Sequence, residues 1–237
     1  MLPVEGKVVL VSGANRGIGR AVAEHLYAAG YSLSLGARSL ATLAPIIEHW
    51  DTDRVSTNVY DAQDTQTHQR WISATVDRFS RLDGLVNNAG VALDVSLELE
   101  ADAELDELWA VNVKAPLSMI RKALPHLRVA GSGRVINLAS IAGKAVFGSG
   151  VGYSMSKFAL VALSHATRHA GWDDGVRCTA LCPGYVSTDM TAGVETIARE
   201  RMIHPSDIAE LVVTVMGLSN NASVAELIVN CRDDVTM

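Results

Sequence analysis

The chain has 237 residues, 49% apolar and 19% charged, with a formal net charge of −6. That length allows one domain with a substantial core, and the acidic balance leaves no basic footprint for nucleic acid or an anionic membrane. Cys178, Cys182 and Cys231 lack metal-ligand spacing and do not suggest a disulfide framework, and the seven scattered histidines form no zinc motif. No metal is therefore expected.

The N-terminus lacks signal-peptide anatomy, and no apolar run approaches the roughly 18 residues of a membrane span. A reduced cytoplasmic protein is the expectation. Short β-rich runs are predicted at Lys7–Ser12, Ser32–Gly36, Arg54–Thr57, Gly84–Asn87, Arg134–Leu138, Val176–Leu181 and Glu226–Val229. Amphipathic helices are predicted at Ile18–Ala29, Thr67–Phe79, Glu104–His126, Tyr153–Ala170 and Pro205–Leu218. Apolar strands alternating with helices argue for βαβ units and parallel pairing. The expected fold is α/β: a single Rossmann-type doubly wound parallel sheet of about seven strands with helices on both faces. Residues 1–237 read as one domain, with a short substrate-side segment near 188–204. In such folds ligands sit beyond the carboxyl ends of the strands.

The first strand runs into Ser12-Gly13-Ala14-Asn15-Arg16-Gly17-Ile18-Gly19, and a helix follows. Gly13 permits the tight turn, Gly17 lets the backbone approach a pyrophosphate, and Gly19 allows close helix–strand packing. The helix N-terminus supplies N–H groups for the phosphate. A glycine turn can also be only a tight connection, but its place between strand and helix favours a dinucleotide. NAD sites carry an acid about 20 residues beyond the glycines for the ribose 2′-hydroxyl. Here that stretch reads Leu35-Gly36-Ala37-Arg38-Ser39, with no acid. Arg38, with Arg16 as a second cation, suits a 2′-phosphate through bidentate hydrogen bonds, so NADP(H) is favoured over NAD(H).

Further along, Tyr153 and Lys157 stand at i and i+4 on one predicted helix, and Ser140 lies upstream. An ammonium beside a phenol favours the phenolate and should lower the tyrosine pKa from about 10. Such a tyrosine can exchange a proton with an alcohol or carbonyl. By itself this spacing also arises by chance on exposed helices.

Taken together, these motifs resemble the short-chain dehydrogenases/reductases, in their short single-domain branch, over about residues 4–215. The likeness rests on the glycine loop 12–19, Asn87-Asn88-Ala89-Gly90 and Asn112 in Val-Asn-Val. It continues with Ser140, Tyr153 and Lys157, then Pro183-Gly184 with Thr188. The resemblance implies a catalytic tetrad of Asn112, Ser140, Tyr153 and Lys157. Tyr153 would be the general acid or base, and Lys157 would depress its pKa and bind the nicotinamide ribose. Ser140 would steady the substrate carbonyl, while Asn112 would kink its helix and hold a water. Cofactor contacts would come from Gly13, Asn15, Arg16, Gly17, Ile18, Gly19, Arg38, Asn88, Ala89, Gly90, Tyr153, Lys157, Pro183, Gly184, Val186 and Thr188. The adenine position falls on Asp61-Ala62 by spacing or on Asn58-Val59 by local sequence; Asp61 is preferred. Two departures stand out. The usual opening Thr is Ser12, and the usual terminal Val-Asp-Gly-Gly is replaced by the segment Ser223 to Asp234.

Candidate pocket residues are Val91, Ala92, Leu93, Ala145, Val146, Phe147, Tyr185 and Met190, mostly apolar. Lys144 reads as a solvent-exposed loop residue or a partner for an acidic substrate group. His165 and His169 read as packing at a subunit face. The family likeness implies a homodimer or homotetramer built on the helices around 104–126 and 153–170. The expected activity is NADP(H)-dependent interconversion of a carbonyl and a secondary alcohol. Alternatives are an NAD(H)-dependent dehydrogenase, an isomerase or epimerase, and a non-catalytic NADP(H)-sensing protein.

Overall fold

Each predicted apolar run becomes a strand in the computed structural model, which describes residues 1–98 and 100–233; Leu99 and residues 234–237, Asp234 included, lie outside the described residues. The strands are β1 (Val8–Ser12), β2 (Ser32–Ala37), β3 (Val55–Val59), β4 (Gly84–Asn87), β5 (Arg134–Leu138), β6 (Arg177–Pro183) and β7 (Glu226–Val229). They form one sheet in the order β3-β2-β1-β4-β5-β6-β7, and every pairing is parallel. β1, β5 and β6 are buried along their whole length, as a sheet covered on both faces requires.

Helices α1 (Gly17–Ala28) and α7 (Pro205–Gly217) cover one face through Val22, Leu26, Ile208 and Val212. On the other face α3 (Thr65–Phe79) contributes Trp71 and Ile72, and α5 (Ala115–Val129) contributes Met119, Ile120 and Leu127. Beside them α6 (Val151–Ala170) sets Leu160 and Val161 against β6. A one-turn helix α2 (Ala44–Ile47), not anticipated from the sequence, sits between β2 and β3. The strand order reverses between β1 and β4, so their carboxyl ends flank the crevice where such folds bind ligands.

The long helix expected over 104–126 is interrupted. It forms α4 (Asp102–Trp109), a π-helical turn over Ala110–Lys114, then α5. Pro116 has no N–H, so the carbonyl of Asn112 cannot receive the usual α-helical bond from the residue four places on. The turn widens instead, and the Ala115 N–H reaches the Ala110 carbonyl. The segment expected on the substrate side, 188–204, carries two 3-10 turns, Asp189–Thr191 and Arg199–Arg201.

Candidate active site

At the end of β1, Gly13 and Gly17 have φ values of +64° and +53°, in the left-handed region that favours glycine. At Gly19 a Cβ would run into the Gly13 carbonyl and the Asn88 carboxamide. The Asn88 Nδ2 donates to the carbonyls of Ser12 (2.9 Å) and Gly13 (3.2 Å), stapling the loop to the end of β4. Ser12 completes the joint: its Oγ accepts from the backbone N–H groups of Asn88 (3.0 Å) and Ala89 (3.1 Å). The serine at the family's threonine position thus retains the function of the hydroxyl. Among the described residues no side chain caps α1, so its first N–H groups face the crevice without a competing acceptor. These features fit a dinucleotide pyrophosphate.

Around this loop the predicted cofactor residues divide. Asn15 and Ile18 are half-buried beside the turn, with Ile18 against the core. Arg38 is exposed just past the end of β2. Arg16 is also exposed, but its guanidinium pairs with Asp189 at 3.0 Å, across the crevice from the glycine loop. Asn58 lies inside β3 and donates to Ser34 at 3.2 Å. Asp61 lies two residues beyond that strand, where its carboxylate accepts from the Gln63 N–H at 2.9 Å. Asp61 thus lies past the carboxyl end of β3, and Asn58 within the strand.

The four tetrad positions come together at the carboxyl ends of β4 and β5. Asn112 is 1% exposed. Its Oδ1 accepts from the Val91 N–H (2.9 Å), and its two amide hydrogens go to the Val91 carbonyl (2.9 Å) and Ser156 Oγ (3.0 Å). Both amide hydrogens of Asn112 are thus committed within the protein. Gly90 lies close by: a Cβ there would sit 3.2 Å from Asn112 Oδ1 and 3.8 Å from Lys157 Nζ.

Ser140 caps the 3-10 turn Ile141–Gly143, accepting from the Ala142 N–H at 3.1 Å. Its Oγ donates to the Pro183 carbonyl at 3.4 Å and stands near enough to the Tyr153 phenol to bear on its pKa. Lys157 is buried and donates to the Leu138 carbonyl at 2.8 Å, its Nζ 5.6 Å from the centre of the Tyr153 ring. This arrangement reverses one expectation. Burial holds the Tyr153 phenol above its ordinary pKa, while the Ser140 hydroxyl pulls the other way. The ammonium points to a carbonyl at the end of β5 instead of to the phenol, and the shared helix face did not reveal that. Burial also presses Lys157 down to about 8.

Beyond β6, Pro183 ends the strand and the Gly184 N–H reaches the Val229 carbonyl of β7 at 2.8 Å. A Cβ on Gly184 would strike Asn230. Val186 is buried and bridges to Ile203, and Thr188 Cγ2 would lie 3.3 Å from a Cβ on Gly17. The post-β6 segment therefore touches the glycine loop.

Lys144 and His165 share a partner that their sequence neighbours do not reveal. Lys144 is half-buried, and its Nζ meets Glu226 Oε2 at 2.6 Å rather than standing free on the loop. His165 meets the other oxygen of Glu226 at 2.7 Å. Glu226 itself went unremarked, since nothing in a single carboxylate at the start of a strand points to partners 61 and 82 residues away. Among the described residues no group of three or more His, Cys, Asp or Glu side chains could hold a metal, and no helix is long and apolar enough to cross a membrane.

Comparison with known proteins agrees with this geometry. The family described as short chain dehydrogenase matches residues 7–198. An agropine synthesis reductase of Rhizobium rhizogenes is 42% identical over 97% of the chain, covering 54% of that protein. The chain therefore spans about half the length of this curated relative. A dehydrogenase/reductase of Sinorhizobium meliloti superposes with a TM-score of 0.86 at 31% identity, covering 96% of this chain and 94% of the other. An alcohol dehydrogenase of Thermococcus sibiricus, solved with 5-hydroxy-NADP, gives 0.85 at 29% identity, covering 94% and 95%.

The lysine shift has a measurable consequence. An unfolded chain keeps the Lys157 proton up to an ordinary value of 10.5, whereas the folded chain releases it from about 8. Unfolding takes up a proton in that window, so this group makes stability rise with pH across it. Urea denaturation of wild type and Lys157→Met between those pH values should show the rise in wild type only.

Proposed function

The chain belongs to the short-chain dehydrogenase/reductase family and is an oxidoreductase; on that premise we propose that it interconverts a carbonyl and a secondary alcohol with NADP(H), Tyr153 handling the proton. One observation carries the reading: buried Lys157 lies with its Nζ 5.6 Å from the centre of the Tyr153 ring at the carboxyl end of the sheet, beside the turn that Ser140 caps. A bound nicotinamide supplies or accepts the hydride.

The chain's own residues do the rest. Ser140 Oγ donates to the substrate oxygen and steadies the charge that develops there. Tyr153 gives its phenolic proton to that oxygen in reduction and takes it back in oxidation. Because burial keeps the phenol protonated near neutral pH, the acid form needed for reduction is the resting form. Lys157 holds positive charge close to the ring, and Asn112 fixes the loop beneath it. Gly13, Gly17, Gly19, Asn88, Ala89 and Gly90 are proposed to cradle the dinucleotide core, and Asp61 the adenine. Pro183, Gly184, Val186 and Thr188 are assigned to the nicotinamide. Val146 (57% exposed), Phe147 (38%) and Met190 (54%) are assigned to the mouth of the site, where they favour an apolar carbonyl.

For the cofactor, exposed Arg38 and the missing acid favour NADP(H), and the relative solved with an NADP analogue supports it. The Arg16–Asp189 pair favours the competing NAD(H) reading, since it occupies the second cation. On α6, Met155 (46%) and Phe158 (42%) leave apolar surface open. We assign this surface, with α5, to a homodimer or homotetramer.

Three measurements test these proposals. With NADPH and a panel containing cyclohexanone, diacetyl and benzaldehyde, Tyr153→Phe should lower turnover of any active substrate at least about a hundred-fold, with NADPH binding retained. Unchanged turnover would sink the assignment. In fluorescence titrations the wild type should bind NADPH more tightly than NADH, and Arg38→Ala should erase most of that preference; tighter NADH binding by the wild type would overturn the cofactor reading. Sedimentation equilibrium should return a mass of two or four chains, and a monomer would reject the assembly.

A further inference from the structure

Three segments distant in sequence converge on the carboxylate of Glu226, the first residue of β7. Lys144 immediately follows the short turn Ile141–Gly143 that Ser140 caps. His165 lies on α6, the helix that carries Tyr153 and Lys157. Glu226 belongs to the strand paired with β6, in register with Ala180. Each carboxylate oxygen has its own donor, Oε2 from Lys144 at 2.6 Å and Oε1 from His165 at 2.7 Å. A carboxylate accepts only, so the imidazole carries hydrogen on Nε2 in this contact. Side-chain exposures of 23%, 29% and 40% for Glu226, Lys144 and His165 place the cluster at the rim of the domain. Lys144 is the principal reason that the Glu226 carboxyl lies below the usual carboxylate range.

We propose that Glu226 is a positioning residue for the reaction, its carboxylate clamping the turn that carries Ser140 onto the helix that carries Tyr153 and Lys157. This rests on the oxidoreductase reading above. The turn rides directly on α6: a Cβ on Gly143 would lie 2.7 Å from the Lys157 carbonyl and 3.1 Å from Val161 Cγ2. Ile141 and Ala142 are buried on the same short element. One end of the turn is therefore Ser140, whose Oγ caps it and donates to the Pro183 carbonyl, and the other is Lys144, gripped by Glu226. A shift at the Lys144 end is transmitted through a single rigid turn to the Ser140 hydroxyl. The clamp comes from the C-terminal segment, which lacks the family's usual Val-Asp-Gly-Gly ending.

Magnitudes indicate where the effect should appear. A partly exposed ion pair contributes little to global stability, with a median near zero to one kcal/mol in general. Displacement of a catalytic group by a fraction of an ångström is felt much more strongly in the rate. The clamp should therefore be visible in turnover and almost silent in unfolding.

The test compares wild type, Glu226→Gln, Lys144→Met and the double variant, with NADPH and whichever of cyclohexanone, diacetyl or benzaldehyde turns over fastest. Glutamine keeps the shape, but it loses the charge that holds the Lys144 ammonium, and its amide nitrogen cannot accept the hydrogen on His165 Nε2. Each single variant should lose kcat on the order of ten-fold, while KM for NADPH changes less than about two-fold and Tm falls by at most about 4 °C. The double variant should lose no more than the worse single, because both changes open one contact. Unaltered kcat in both single variants, with Tyr153→Phe inactive, overturns the clamp and leaves the functional reading standing; fully additive losses also overturn it. Turnover that survives Tyr153→Phe removes the functional reading itself. If Glu226→Gln does not fold, Lys144→Met decides alone, and an unchanged kcat there overturns the proposal.

Discussion

The carboxamide of Asn112 is the constraint on which the site is built. Both backbone groups of Val91 are paired with it, and its remaining hydrogen is held by Ser156. Ser156 in turn donates to the Tyr153 carbonyl at 2.7 Å. One buried side chain thus joins the loop after β4, the widened turn between α4 and α5, and the first turn of α6. In a dry environment an unpaired amide hydrogen would cost roughly 1–3 kcal/mol, so the three elements keep their relative places. The missing N–H of Pro116 makes the helix break where Asn112 can turn inward.

The cofactor crevice depends on a different economy, the removal of side chains. Gly19 lies so close to the Gly13 carbonyl and the Asn88 amide that no Cβ fits. That contact lets α1 start directly above β1, with its N-terminus open. Ser12 and Asn88 close the joint between β1 and β4 from both sides. The strand order reverses at this seam, so the crevice and the staple share one location.

Much of this was legible in the chain. The strands lie within a residue or two of the predicted runs. For β1, β5 and β6 the reason is that strands buried on both faces are largely apolar, while the edge strands β3 and β7 are only partly buried. The glycine positions were readable because a positive φ or a crowded Cβ leaves few alternatives at Gly13, Gly17 and Gly19. The kink at Asn112 was implied only by the family resemblance, because the apolar periodicity continues through 110–114 and by itself masks the missing donor of Pro116. The electrostatics were read with the wrong sign. Spacing placed Lys157 beside Tyr153, but the sign of the phenol's shift depends on burial and on where the ammonium points.

Sequence alone determined the class of the fold, the parallel sheet, the glycine loop and the identity of the groups available for proton transfer, because these follow from local periodicity and from residue types with few substitutes. Only the tertiary structure decided how those groups are charged and held. Glu226 meets Lys144 and His165 across three elements, and Arg16 meets Asp189 across the crevice. Such pairings depend on which distant segments the sheet brings together, and burial depends on everything packed around a group. Neither property belongs to a residue and its neighbours in the chain.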